Sequence, residues 1–332
     1  MTSAPFRPAL AGIALAALAL AACGSDAGST ASPTAEPAAG TGTATATAPP
    51  TSAPPPTEAA GTLTVTDSVG NEVTLDAPAE AIVSLSPTAT ESLFAIGAGD
   101  QVVAVDEFSY YPEEAPVTDL SGFTPNAEAV AANEPDLVVI QNDANDLVAQ
   151  LDALDIAVLQ QAPATSFEDV YDQIEALGVL TGQDDGATEL VEQMTGDIDK
   201  TVADVSTDTA GTTYFHEIST DYYTTSSSGF IGQIYGLFDL VNIADEAAAE
   251  AGTDFPQMSE EAILAADPQL VYTTSGATAD DVAARPGWDG VAAVVDGNVV
   301  VLDADVASRW GPRVVDFVET VADSLDDVAA DQ

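Results

Sequence analysis

The sequence predicts an α/β fold of two similar lobes, each a parallel sheet with flanking helices, joined by a single long backbone helix. Three observations carry the prediction. Short apolar strands alternate with helical segments, an eleven-residue pattern occurs twice, and one apolar stripe at helical spacing lies between the copies. The expected lobes are residues 62–183 and 207–332, with the linking helix at 184–206.

What precedes this body has a different character. Within residues 1–22, Arg7 is followed by an apolar run from Ala9 to Ala22 broken only by Gly12. That is the layout of a secretory signal, too short for a comfortable bilayer span. The run ends in Leu20-Ala21-Ala22-Cys23, which resembles a bacterial lipobox, so Cys23 is the expected lipidation site. As the one cysteine in the chain, it also excludes an internal disulfide framework. Residues 23–61 are Ala, Thr, Pro, Ser and Gly with almost no large apolar side chain. Such a segment cannot offset its ordering entropy by burial and is expected to be a disordered tether.

Along the body, Leu63 to Leu75 alternates around Val69-Gly70-Asn71, which predicts a hairpin. Ala81 to Leu85 is a short apolar strand. Ser86-Pro87 supplies an N-cap and a first-turn proline for a helix over 88–96, ending at Gly97. Val102 to Val105 is the next strand. Residues 128–138 read Glu-Ala-Val-Ala-Ala-Asn-Glu-Pro-Asp-Leu-Val, and residues 261–271 read Glu-Ala-Ile-Leu-Ala-Ala-Asp-Pro-Gln-Leu-Val. Each has a glutamate opening a short helix, an acid-proline stop and an apolar strand. Their separation far exceeds a solenoid period, so the duplication is one of whole lobes.

Ala187, Leu190, Val191, Met194, Ile198, Val202 and Val205 form the stripe of the linking helix. A helix of that length is roughly 30 Å long and acts as a stiff spine rather than a loop hinge. A last helix is expected from Gly311-Pro312, burying Val314, Val318, Val321, Leu325 and Val328.

The charge balance, 55 acidic residues against 5 basic ones, makes nucleic acid and anionic membrane surfaces poor partners. The acids are scattered, as on a surface solvated at high salt. No Gly-x-Ser-x-Gly elbow, Walker loop or dinucleotide fingerprint is present. With one histidine, His216, and no cysteine in the body, a bare transition-metal cage lacks ligands, so no cofactor and no resident metal are expected. His216 is read as a strand-end residue near the cleft, with contact to a bound metal chelate as a minor alternative. An enzyme working through paired carboxylates on a cell-wall substrate is not excluded by counting acids, but no spacing singles out a pair.

The scarce cations and aromatics are more informative. Lys200 lies on the spine helix, where solvent suffices. Arg313 is read as a salt-bridge partner, because a cation in the first turn opposes the helix dipole. Arg309 is open between a salt bridge and, with Trp310, contact with the polar edge of a ligand. Phe108, Tyr110, Phe123, Tyr222, Tyr223 and Phe255 gather in loops beyond strand ends, where open α/β folds bind ligands. An aromatic pocket with few charges suits a bulky, largely apolar molecule.

Over nearly all of the body, these segments resemble bacterial ABC-importer binding proteins for vitamin B12 and iron–siderophore complexes. The segments that carry the resemblance are Ile82 to Glu91, Phe108 to Pro112, both repeats, and Phe255 to Glu261. The resemblance implies two lobes that close only slightly, and a permease dimer with its ATPase as partner. It implies that Glu128 and Glu261 dock on permease arginines, and that Phe108 and Phe255 are pocket aromatics. A two-fold partner offers two equivalent cationic sites, which agrees with one glutamate per duplicated lobe. Gln141 and Val306 depart from the family's B12 binders, which have tryptophans there. The expected ligand is therefore a corrinoid or a ferric siderophore, with a ferric hydroxamate or heme as the alternative to a corrinoid. The expected protein is a monomer on the outer face of the cell membrane, held by its lipid anchor alone. A surface lipoprotein without a transporter is the reading from another class.

Overall fold

The computed structural model describes residues 61–206 and 209–330, with side chains as far as Leu325. The expectations for residues 1–60, Cys23 among them, and for the side chain of Val328 lie outside the described residues.

An antiparallel hairpin opens the body, β1 (Leu63–Thr66) against β2 (Glu72–Leu75), with Leu63 opposite Leu75. The Asp67 carboxylate accepts the amides of Val69 and Asn71, and Gly70 closes the turn at a φ of 90° that a side chain would strain.

The first lobe follows as β3 (Ile82–Leu85), α1 (Pro87–Ala95), β4 (Val102–Asp106), β5 (Val117–Leu120) and α2 (Ala127–Ala131). It continues with β6 (Leu137–Ile140), α3 (Leu147–Asp152), β7 (Ala157–Gln160) and α4 (Phe167–Thr181). The five strands are parallel, in the order β5-β4-β3-β6-β7. Alternate residues enter two separate cores: Leu137 and Val139 pack on one face, Val138 and Ile140 on the other. Central strands covered on both faces have no solvent side, so β6 reads Leu-Val-Val-Ile without alternation. Ser86 caps α1 as the sequence predicts, its hydroxyl accepting the Ala89 amide, with Pro87 opening the helix.

The spine helix α5 (Asp184–Asp204) comes next. The second lobe then runs β8 (Thr213–Glu217), α6 (Phe230–Gly236), β9 (Val241–Asn242), α7 (Asp245–Ala251), α8 (Glu260–Ala266) and β10 (Leu270–Thr273). It ends with α9 (Ala279–Ala283), α10 (Ala292–Val295), β11 (Val299–Val301), α11 (Ala304–Ser308) and α12 (Val314–Ala330). Its parallel sheet has the order β11-β10-β8-β9. In both lobes the chain adds strands on one side of the first strand, then crosses to the other side through the repeat segment.

The repeat is a duplication in conformation as well as in sequence. Asn126 caps α2 and Ser259 caps α8, each side chain accepting the amide three residues on. Val130 and Ile263 are fully buried at matching positions. Glu134 and Asp267, each before a proline, both take left-handed backbone at φ values of 51° and 48°. Leu137 and Leu270 then open the two strands, each fully buried.

One continuous core joins the lobes. Ala187, Met194 and Ile198 of α5 pack into it with Leu177 and Leu180 of α4 and with Val314, Phe317, Val318, Val321 and Leu325 of α12. The last helix starts at Val314, later than the Gly311-Pro312 the sequence suggested. Gly311 to Arg313 forms a turn against α1 instead, where a Cβ on Gly311 would lie 3.1 Å from Thr88 Cγ2.

Candidate functional site

In the first sheet the chain leaves β3 toward β4 and later returns to its other side as β6, so loops diverge at the carboxyl ends of these strands. That divergence leaves a crevice where open α/β sheets bind ligands. Two adjoining cavities of about 250 and 130 Å³ occupy it, sharing Thr88, Gln141 and Ser308. Their walls are first-lobe strand ends (Leu85, Asp106, Gln141, Gln161) on one side and Ser308, Arg309 and Trp310 of the second lobe on the other.

Four of the predicted pocket residues converge here. Phe108 and Phe123 stand edge to face at 5.5 Å, both exposed, and line the larger cavity with Arg309. Trp310 lines the smaller one, its ring 4.9 Å from Phe230 and its Nε1–H donating to the Ala307 carbonyl. Tyr110 is exposed at the rim, and its hydroxyl donates to the Asp305 carboxylate across the lobes. Gln141, which stands where the resemblance has a tryptophan, lines both cavities, and Val306 packs on the core.

Tyr222, Tyr223 and Phe255 line neither cavity. Tyr223 and Phe255 are exposed on the second lobe, where Tyr223 bridges to Gln257. Tyr222 is corrected from a pocket wall to a packing residue: its ring stacks on Trp288 at 6.1 Å and its hydroxyl donates to Glu260. His216 is likewise corrected. It lies inside β8 rather than at a cleft, 1% exposed, with Nδ1 2.7 Å from the Tyr235 hydroxyl. Burial lowers its pKa to about 3, so the ring is neutral, and its Nε2 has no partner.

Arg309 serves as a structural cation while bordering the cavity. It is buried, pairs with Glu91 at 3.3 Å and Asp305 at 3.0 Å, and donates to the Phe108 carbonyl. Arg313 makes a two-pronged pair with the same Glu91 carboxylate, as the salt-bridge reading expected, and its guanidinium lies 4.3 Å from the Tyr111 ring centroid. Glu91 is on α1 and both arginines are in the second lobe, so the cluster clamps the lobes beside the cleft. In the second lobe Arg285 pairs with fully buried Glu217 and stacks on Tyr222 and Trp288. Glu91, Glu217, Arg285 and Asp106 escaped the sequence reading. For Glu91, Glu217 and Arg285 the signal was the scarcity of cations, since each buried arginine needs a carboxylate partner; Asp106 had none.

The two repeat glutamates have a different setting. Glu128 and Glu261 are each the second residue of their helix and exposed, and neither side chain has a hydrogen bond or ion pair among the described residues. Neighbouring Glu260, by contrast, is held by Tyr222 and by Trp288 Nε1. No group of histidine, cysteine and carboxylate side chains among the described residues is placed to hold a metal ion, and no described helix is long and apolar enough to cross a membrane.

The chain is 33% identical to the uncharacterized ABC transporter substrate-binding lipoprotein YvrC of Bacillus subtilis, over 79% of this chain and 85% of that protein. It is 31% identical to the cobalamin-binding protein of Halobacterium salinarum, over 79% and 74%. Its fold matches the crystal structure of the periplasmic vitamin B12 binding protein BtuF of Vibrio cholerae with a TM-score of 0.62 at 28% identity, covering 76% and 98%. The sequence profile of the periplasmic binding protein family matches residues 82–306, from β3 into α11, and the chain belongs to that family.

Proposed function

We propose that this chain is the lipid-anchored, extracytoplasmic solute-binding protein of an ABC importer, taking a corrinoid into the inter-lobe cleft and docking it on a dimeric permease. The observation that carries the reading is the matched pair Glu128 and Glu261, one per lobe, exposed and unpaired at identical positions of a duplicated motif. In a surface lipoprotein without a transporter, the pair would serve only as a favourable charge in each helix's first turn. The names of the relatives support a corrinoid as the captured molecule.

The cleft's chemistry supports the same ligand class. Aromatic faces (Phe108, Phe123, Trp310) and amides (Gln141, Asn142, Gln161) suit a macrocycle with amide side chains. Ferric catecholates and heme carry negative charge, and the arginines of the body are already committed to Glu91, Asp305 and Glu217. His216 is buried and out of reach as an axial ligand. The protein works by binding without catalysis, as a monomer, on the outer face of the membrane.

Titration of the soluble body with cyanocobalamin, a ferric hydroxamate and hemin, read by intrinsic tryptophan fluorescence, tests the ligand. Cyanocobalamin should bind tightest, and no response to it would sink the corrinoid assignment. Charge reversal at both docking positions, Glu128→Arg with Glu261→Arg, should abolish ligand-stimulated ATP hydrolysis by the reconstituted transporter at unchanged ligand affinity. Undiminished stimulation would end the docking assignment.

A further inference from the structure

Among the described residues, buried carboxylates are well supplied with donors, with one exception. Asp67 accepts two backbone amides and the Asn71 side chain. Glu91 takes three bonds from two arginines. Glu217 is held by Arg285, Thr273 and Ser275. Asp106 is 2% exposed, yet its side chain accepts one backbone amide, that of Phe108, at a long 3.2 Å. The further donors in reach are the Ser109 hydroxyl, buried without another partner, and the Ser109 backbone N–H, which also bonds the Asp106 carbonyl. No arginine pairs with Asp106, although Arg309 borders the same cavity.

Its position explains the exception. Asp106 ends β4 and forms part of the wall of the larger cavity with Phe108, Phe123, Gln141 and Asn142. Its Oδ2 sits beside Gly122, 2.8 Å from where a Cβ on that glycine would lie, so the missing side chain leaves the carboxyl room at the wall. A carboxylate out of water and short of donors is costly, and a donor brought by a ligand would relieve that cost. Burial pushes the Asp106 carboxyl up, in keeping with this shortage.

Resting on the reading of this cleft as the ligand site, we infer that Asp106 is a specificity-determining residue that selects ligands presenting an N–H donor, a primary amide or an ammonium, over ligands presenting a carboxylate at the same place. A ligand carboxylate there would face a buried like charge with no cation free to separate them. The arrangement therefore reads one peripheral substituent of the ligand, separately from the aromatic contacts that hold its body.

The test compares affinities within matched probe pairs. Cyanocobalamin is set against its monocarboxylic derivatives, each with one side-chain amide hydrolysed. Ferrioxamine B, with a free ammonium, is set against its N-succinyl form, which ends in a carboxylate. Wild-type protein should prefer the donor-bearing member of at least one pair by about tenfold or more, the scale of an unpaired buried polar group. Asp106→Asn offers the carboxylate a donor and should bring that ratio to about one. Because each ratio is internal to one protein, a modest loss of stability cancels. Should Asp106→Asn not fold, Asp106→Ser carries the same comparison. Binding with a ratio unchanged by these variants overturns the inference and leaves the function standing. A ratio seen and lost only with the ferrioxamine pair sustains the inference while removing the corrinoid. Binding of neither pair overturns both.

Discussion

At the scale of single residues, the placement of charge follows from the cost of burying it. A chain with so few cations places Arg285, Arg309 and Arg313 against buried carboxylates. Removing one partner of such a pair strands the other, which is why these contacts are costly to break rather than strongly stabilising in themselves. His216 shows the same economy with a titratable ring. Its pKa falls from 6.5 to about 3 on folding because burial among Tyr235 and Phe317 disfavours the cation. The unfolded chain therefore takes up the proton first. This contribution to stability is complete above about pH 6.5 and is lost as pH falls toward about 3. Between pH 6.5 and 5 the loss should be ~2 kcal/mol. Urea unfolding of wild type and His216→Gln at both pH values isolates it, since the carboxylates titrate alike in both proteins. Equal pH dependence would show that His216 is not held neutral.

At the scale of elements, the spine helix α5 carries two glycines in opposite environments. Gly186, in its first turn, lies against the end of α1, where an added Cβ would come 2.3 Å from the Ile96 carbonyl oxygen. Gly196 is exposed, and an added Cβ would meet nothing within 4 Å. Gly196→Ala should stabilise the protein by about 0.5–1 kcal/mol through helix propensity alone. Gly186→Ala should destabilise it by about 1–3 kcal/mol, because backbone must move to admit the methyl group. Denaturant midpoints for the two variants should shift in opposite directions, and shifts of one sign would contradict this packing of α5 on α1. The close approach at Gly186 also bears on motion. A helix wedged at one end and sharing a core with α4 and α12 favours small displacements of the lobes over wide hinge closure.

At the scale of the whole molecule, the formal charge of −50 opposes compaction, and counterions must moderate it. Raising sodium chloride from about 0.01 to about 1 M shortens the screening distance from about 30 to about 3 Å. The thermal midpoint of the soluble body should rise by about 5 °C or more over that range. An unchanged midpoint would mean that the acids are spaced widely enough for water alone. The same field sets the conditions for docking: basic residues on a partner would be drawn toward Glu128 and Glu261, and more weakly as salt is added.

Much of this protein is legible in its sequence because local physics writes itself locally. The Ser86-Pro87 helix start, the hairpin around Gly70, the stripe of α5 and the duplicated motif are signals within a turn or two of chain, and each forms as read except that Val205, the last of the stripe, falls just past the end of α5. The class of fold and the equivalence of Glu128 with Glu261 follow from those signals. Tertiary structure alone decided which polar groups meet. Glu91 and Arg313 lie far apart in the chain and share no pattern, yet they close one clamp. His216 lies near the end of strand β8 and Tyr222 in the loop beyond it, as the sequence suggested, but packing turned them inward. Asp106 was one acid among 55 until the fold buried it in a cavity wall with few donors. Periodicity and capping depend on neighbours in sequence, whereas desolvation and charge pairing depend on neighbours in space, which only the folded chain supplies.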